Sequence, residues 1–169
     1  IGKAWVQGLE AAVALAFLDT VESRSNLTWN VSVNLSEREG YANNQLPGIP
    51  TWEFHQQTAI FSPDRWRLGH SFSYTAGSYW DETNWYLSAP RPLHGLFART
   101  TLGRTGMELE LEALNLADHI VEVVPRNPLD ATDDASILSP ISDFNGYPLP
   151  GRTVLLSLRW EGQAPESNP

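Results

Sequence analysis

The chain has no cysteine. Disulfide scaffolds, thiolate metal centres and cysteine nucleophiles are excluded, while the compartment stays open. Methionine occurs once, lysine occurs only as Lys3, and no uncharged apolar run exceeds the eight residues Ala11–Leu18. A membrane-spanning helix needs roughly 20 such residues, so any bilayer crossing would be made by strands. Cations are scarce as well, with 11 Lys and Arg against 20 Asp and Glu and a net charge of -9. Nucleic-acid binding needs clustered cations that displace counterions from phosphates, so no nucleic-acid partner is expected. Gly-rich phosphate loops and nucleophile elbows are missing, no Ser, His and Asp set is identifiable by motif, and the reading is of a non-enzyme. The first residue is Ile1, with no basic segment and apolar run leading to a small-residue cleavage site. This points to a removed leader or to a stretch of a longer polypeptide.

Length decides little, because 169 residues are enough to enclose a soluble core. Patterning says more. Leu27, Trp29, Val31, Val33 and Leu35 alternate strictly with Thr28, Asn30, Ser32, Asn34 and Ser36. Met107, Leu109, Leu111 and Ala113 alternate with Glu108, Glu110 and Glu112, an order that a helix would scatter around all its sides. Val154, Leu156, Leu158 and Trp160 oppose Thr153, Leu155, Ser157 and Arg159. Trp66, Leu68, Phe72 and Tyr74 repeat the scheme, with His70 interrupting the apolar side. Ala4–Phe17, Trp52–Phe61 and His94–Leu102 are weaker strands, the first so rich in alanine that a helix would also suit it.

Seven strands result, and their connectors fall into two classes. Short ones are centred on Asp19–Arg24, Ser62–Arg65 and Gly103–Thr105; long ones cover Glu37–Thr51, Tyr79–Leu93 and Ala117–Gly151. They alternate short, long, short, long. Successive antiparallel connections emerge at opposite ends of a sheet, so all short turns lie at one end and all long loops at the other. Outer-membrane barrels have this asymmetry, with short periplasmic turns and long extracellular loops. Strands of about ten residues match a tilted crossing of the hydrocarbon layer. The 7 Trp, 5 Tyr and 6 Phe suit interfacial girdles. Single-chain bacterial barrels have even strand numbers, so seven strands imply part of a larger closed sheet.

At this point the residues resemble a known family. Gly146-Tyr147-Pro148-Leu149-Pro150-Gly151-Arg152, followed by the alternating Thr153–Trp160, resembles the last extracellular edge and closing strand of TonB-dependent outer-membrane receptors. Leu111–Asp118, with its Asn-Leu pair followed by Asp, is similar to the penultimate strand, and Val6–Glu10 and Leu46–Pro50 match further elements at this spacing. The resemblance spans nearly the whole chain. It implies an all-β, antiparallel transmembrane barrel segment within a barrel of about 22 strands closed by an N-terminal plug. Residues 1–160 would be the C-terminal portion of that barrel and 161–169 a flexible tail. The family usually ends on the terminal aromatic, whereas nine residues follow Trp160 here. The implied partners are outer-membrane lipid, the plug and remaining strands, TonB through the absent N-terminal part, and a small-molecule ligand. The implied place is the bacterial outer membrane, and the implied task is uptake of a siderophore, cobalamin or oligosaccharide, with no cofactor.

Candidate site residues follow from the same reading. Trp80, Trp85 and Tyr86, in a loop with Tyr79, Asp81 and Glu82, form a candidate extracellular ligand platform. Glu108, Glu110 and Glu112 are expected to face the lumen, as are Arg152 and Arg159; with Arg99, these arginines would pair with lumen carboxylates. His55, His70, His94 and His119 show no pair at metal-ligand spacing, and Asp130, Asp133 and Asp134 lack the glycine and final glutamate of a calcium loop. The competing reading is a soluble β-barrel or sandwich that binds a small apolar ligand in its interior. A third, a barrel enzyme, would need His70 or His94 beside a serine and a carboxylate.

Overall fold

The computed structural model describes residues 2–37, 39–63, 65–103, 106–125, 136–142 and 147–160. Period-two alternation becomes a ladder. The strands are β1 (Ala4–Phe17), β2 (Val21–Asn34), β3 (Trp52–Ser62), β4 (Trp66–Ala76), β5 (Arg91–Leu102), β6 (Met107–Leu114), β7 (Val121–Pro125), β8 (Ser136–Pro140) and β9 (Thr153–Trp160). Seven of them form one antiparallel sheet in the order β1-β2-β3-β4-β5-β6-β9, and no helix occurs among the described residues. The alanine-rich β1 is a strand because all fourteen of its residues pair with β2.

Three boundaries differ from the expectation. β2 begins at Val21, so the expected connector Asp19–Arg24 shrinks to Leu18, Asp19 and Thr20, with Leu18 and Asp19 at φ 51° and 53°. Two successive left-handed residues make a turn whose twist matches that of the strands it joins. Glu22, Ser23, Arg24 and Ser25 contain no apolar residue to mark a face; pairing with β1 and β3 makes them a strand. β5 starts at Arg91 rather than His94, since Pro92 conceals a strand that pairs it with Tyr74. The long segment Ala117–Gly151 contains the hairpin β7–β8, each strand ending on a proline, which is where a residue without an N–H is tolerated. The expected tail 161–169 and the aspartates Asp130, Asp133 and Asp134 lie outside the described residues.

Register sorts the side chains. Leu9, Trp29 and Trp52 stand in one row, and Ala98, Leu111 and Leu156 in another, on the same face. Glu53, Arg91, Arg99 and the three glutamates of β6 occupy the other face. A trough of about 720 Å³ runs over this hydrophilic face from Ala12 on β1 past His55 and Ser71 to Leu114 on β6. A concavity that wide means that the sheet curls around its hydrophilic side and turns its apolar side outward.

Among the described residues the only buried hydrophobic ones are Ala59 and Ile141. Leu111 is 47% exposed, Leu156 71% and Leu158 59%, and no second layer among the described residues covers them. A soluble sandwich would inter-lock these side chains in a dry interior. Here they form a bare band across seven strands, far more than a water-soluble monomer displays. β1 and β9 are both open edges. An unpaired backbone group in hydrocarbon costs several kcal/mol, so such a sheet is a sector of a closed barrel.

The apolar band has one break. Ser23, Ser25, Gln56, Thr58, His70 and His94 lie on the apolar face at mid-strand, with apolar residues above and below. The Ser23 and Thr58 hydroxyls are 3.0 Å apart, and His70 Nε2 is 3.1 Å from His94 Nδ1. The interruption expected at His70 alone is thus a seam across four strands.

Candidate functional site

Asparagine and glutamine side chains imitate backbone amides, and at the long-loop end they stitch separate loops together. The Gln45 amide N–H donates to Asn84 Oδ1 at 2.6 Å, and Asn84 Nδ2 returns a bond to the Gln45 carbonyl at 2.8 Å. Gln45 Nε2 donates to the carbonyls of Ile49 and Gly77, both at 2.6 Å. Asn43 and Asn84 supply the left-handed turns that this requires, at φ 66° and 58°. The third loop joins through Glu122 on β7, which is 5% exposed. Its Oε2 accepts the Ala89 N–H at 2.8 Å and the Ser88 hydroxyl at 3.3 Å. Arg91 in turn donates to the Ser142 carbonyl. Three loops therefore act as one cap on the strand ends.

Within this cap Asp81 organises the segment that carries the expected platform. Its carboxylate accepts the N–H groups of Tyr86 at 2.8 Å, Trp85 at 3.1 Å and Thr83 at 3.1 Å, together with the Thr83 hydroxyl. Burial pushes the Asp81 carboxyl up most strongly, yet the Thr83 hydroxyl and the three backbone donors together outweigh it. The net effect holds it below its ordinary value of 3.8. A carboxyl with a lowered folded-state pKa stabilises the fold above its unfolded-state value, and that contribution is lost as the pH falls through the folded-state value. The Tyr86 and Trp85 amides are therefore expected to lose hydrogen-exchange protection only below pH 3.8 in the native chain, and at every pH in Asp81→Ala. Unchanged protection in that variant would show that Asp81 does not hold the turn.

Trp80, Trp85 and Tyr86 do not converge. Trp85 sits exposed at the turn and Tyr86 is half-buried, its carbonyl accepting the Trp80 N–H at 2.9 Å. Trp80 alone of the three lines a hollow beneath the cap. Glu108, Glu110, Glu112 and Arg159 share the hydrophilic face, with Arg159 opposite Glu108. Arg99 lies directly opposite Glu110; its Nη2 is 3.1 Å from both Glu110 oxygens and its Nε 3.3 Å from Glu108. Arg152 stands apart. It precedes β9, and its Nε donates to the Leu116 carbonyl at 3.1 Å.

That contact belongs to a knot at the base of the last loop. Asn115 is 7% exposed with φ 50°, and its Nδ2 donates to the carbonyls of His119 at 3.1 Å and Pro150 at 3.2 Å. Its Oδ1 accepts the His119 N–H at 3.0 Å, while Asp118 Oδ1 accepts the Arg152 N–H at 2.8 Å. A Cβ at Gly151 would stand 2.8 Å from Asp118 Oδ1, so a larger residue there would push the Asp118 carboxylate aside. The Asn-Leu and Pro-Gly-Arg motifs are hydrogen-bonded to each other.

Two of the histidines come together only in the tertiary structure. Sequence spacing gave no pair, yet antiparallel pairing of β4 with β5 brings His70 and His94 into hydrogen-bond contact. They lie on the apolar face, in a seam without a carboxylate, and no group of three His, Asp or Glu that could hold a metal occurs among the described residues. Gln45, Arg91 and Glu122 escaped the sequence reading, and Asn115 entered it only as part of the Asn-Leu motif. Only the asparagines carried a signal, as residues that tolerate left-handed turns.

No family model matches the chain, and no curated protein matches it. Solved structures do. The siderophore receptor PiuA from Acinetobacter baumannii superposes with a TM-score of 0.64 at 18% identity, over 94% of this chain and 22% of that one. The copper transporter OprC superposes with a TM-score of 0.60 at 16% identity, over 92% of this chain and 23% of that one. The chain thus spans less than a quarter of either. Its fold is that of a barrel sector of TonB-dependent receptors, as the closing-strand motifs implied.

Proposed function

We propose that the chain is part of an outer-membrane receptor for TonB-dependent uptake of a scarce small ligand, of siderophore, cobalamin or oligosaccharide class, and that it binds and gates rather than breaks bonds. The observation that carries this is one sheet with a bare apolar convex face, a hydrophilic concave face, and every long loop laced together at one end. Lipid would cover the convex face. A plug and further strands of the same receptor would fill the concave side and complete the ring, and TonB would act through that plug. The two structural neighbours handle a siderophore and copper respectively, which supports a transport role. The glutamates of β6 and Arg159 would then face the lumen, and Trp80, Trp85 and Tyr86 would lie on the outer side.

The absence of cysteine gives a clean test. Leu87→Cys lies in a long loop and Thr20→Cys in a short turn. In intact cells, a membrane-impermeant maleimide is expected to label Leu87→Cys and spare Thr20→Cys, with both proteins in the outer-membrane fraction. Labelling of both or neither, or recovery in the soluble fraction, would overturn the topology.

A further inference from the structure

We propose that the break in the apolar band is where two copies of the receptor meet in the membrane, as a symmetric dimer whose two-fold axis follows the membrane normal between β3 and β4. This rests on the receptor reading, which gives the convex face its lipid surroundings. Lipid tails offer polar groups no hydrogen bond, so polar side chains aimed at them are rare and mark a function.

Register confines these groups to an island. At the level of Ser23, Thr58 and His70, the strands on either side carry Leu15 on β1, Leu96 on β5 and Ala113 on β6. Leu27 and Phe54 close the island on the long-loop side, and Ile60 and Leu68 close it on the short-turn side. From β2 to β5 it measures roughly 14 Å at the usual strand spacing.

Only part of its hydrogen-bonding capacity is used. Ser23 bonds to Thr58, and His70 Nε2 to His94 Nδ1, both within the sheet. The Gln56 amide, the Ser25 hydroxyl, His70 Nδ1 and His94 Nε2 have no partner among the described residues. Nor are they sealed in. The unpaired side-chain polar atoms that the fold does enclose are Trp80 Nε1, Arg99 Nε, Glu122 Oε1 and Ser142 Oγ, none of which belongs to the island.

A second copy supplies what the island lacks. A two-fold rotation about the membrane normal preserves depth and exchanges left with right, so β3 of each copy faces β4 of the other. Gln56 and Thr58 of one copy then meet His70 and Phe72 of the other at one depth, and the contact occurs twice. Amide, hydroxyl and neutral imidazole each donate and accept, which makes the island complementary to itself. Shape agrees. β2 and β3 contribute the short side chains of Ser23, Ser25 and Thr58, whereas β4 and β5 raise a plate of rings, with Phe72 4.7 Å and His70 5.3 Å from His94. The low half of one island receives the high half of the other. An unrelated membrane protein would need matching groups at this depth by coincidence; a copy has them by construction.

The test uses the receptor in isolated outer membranes and, after mild detergent extraction, its molar mass by light scattering. Benzoylphenylalanine in place of Ile60, 48% exposed at the rim of the island on β3, is expected on illumination to give a band of twice the receptor mass. In place of Leu156, 71% exposed on the same face but four strands away, it is expected to give none. Gln56→Leu combined with His70→Leu continues the surrounding apolar surface, and is expected to weaken the dimer at least about tenfold while keeping heat-modifiable migration. Should that variant fail to fold, the two cross-linking positions still decide. A monomeric parent, equal cross-linking at both positions, a cross-link to a chain of another mass, or a folded double variant as dimeric as the parent would each overturn the interface. A monomer in the outer membrane loses the interface and keeps the receptor reading. A soluble protein, whatever its mass, overturns that reading and the interface with it.

Discussion

Leu111→Arg is expected to destabilise the folded protein in lipid vesicles by about 2–4 kcal/mol, the range for an arginine near the midplane on the lipid face of a barrel. Leu111 lies between β5 and β9, flanked by Ala98 and Leu156, and is 47% exposed. In a water-soluble protein, a half-exposed leucine is changed to a charged residue at a cost within about 0.5 kcal/mol. The size of the effect therefore reports which solvent the convex face meets. Glu112→Lys is the control. It occupies the next position on the same strand but the opposite face, and there a change of charge sign in a wet lumen is expected to cost less than about 1 kcal/mol. Both are measured by denaturant unfolding in vesicles, followed by tryptophan fluorescence. Similar, small effects for the two would remove the lipid-facing assignment and with it the receptor reading.

Asn115→Ala is expected to destabilise the protein by about 3 kcal/mol, because it removes three hydrogen bonds at a buried position and places alanine in a left-handed backbone. Asn115→Gly separates the two contributions, since glycine adopts φ 50° without strain and loses only the hydrogen bonds. It is expected to lie about 1 kcal/mol above the alanine variant. Loss of the knot would also let β9 fray from β6, with which it pairs from Met107 through Leu114. Hydrogen exchange at Val154 and Leu156 should rise in parallel. A cost below about 1 kcal/mol for Asn115→Ala would mean that strand pairing, not the knot, holds the base of the last loop.

The sheet was legible wherever a strand has one wet and one greasy face. Leu27–Asn34, Met107–Ala113 and Val154–Trp160 alternate because each presents one apolar and one hydrophilic face, and that contrast is written residue by residue. Val21–Ser25 and Arg91–Leu93 were not legible, because their strand character comes from neighbours already in register rather than from their own faces. The hairpin β7–β8 was hidden by prolines that mark its ends. Within the candidate site, Trp80 was found through its type, but Arg91, Ser142 and Glu122 carry no local signature. Their roles arise from contacts between loops that are far apart in sequence.

Sequence alone thus determined the all-β class, the alternation of short turns and long loops, and the resemblance of the closing strand to one receptor family. Each rests on local period, turn chemistry or a contiguous motif. Tertiary structure decided which side is concave, that the loops form one laced cap, that His70 meets His94 across two strands, and that Trp80, Arg91 and Ser142 line one hollow. Those facts depend on register and curvature, which are properties of the whole sheet. No single strand encodes them.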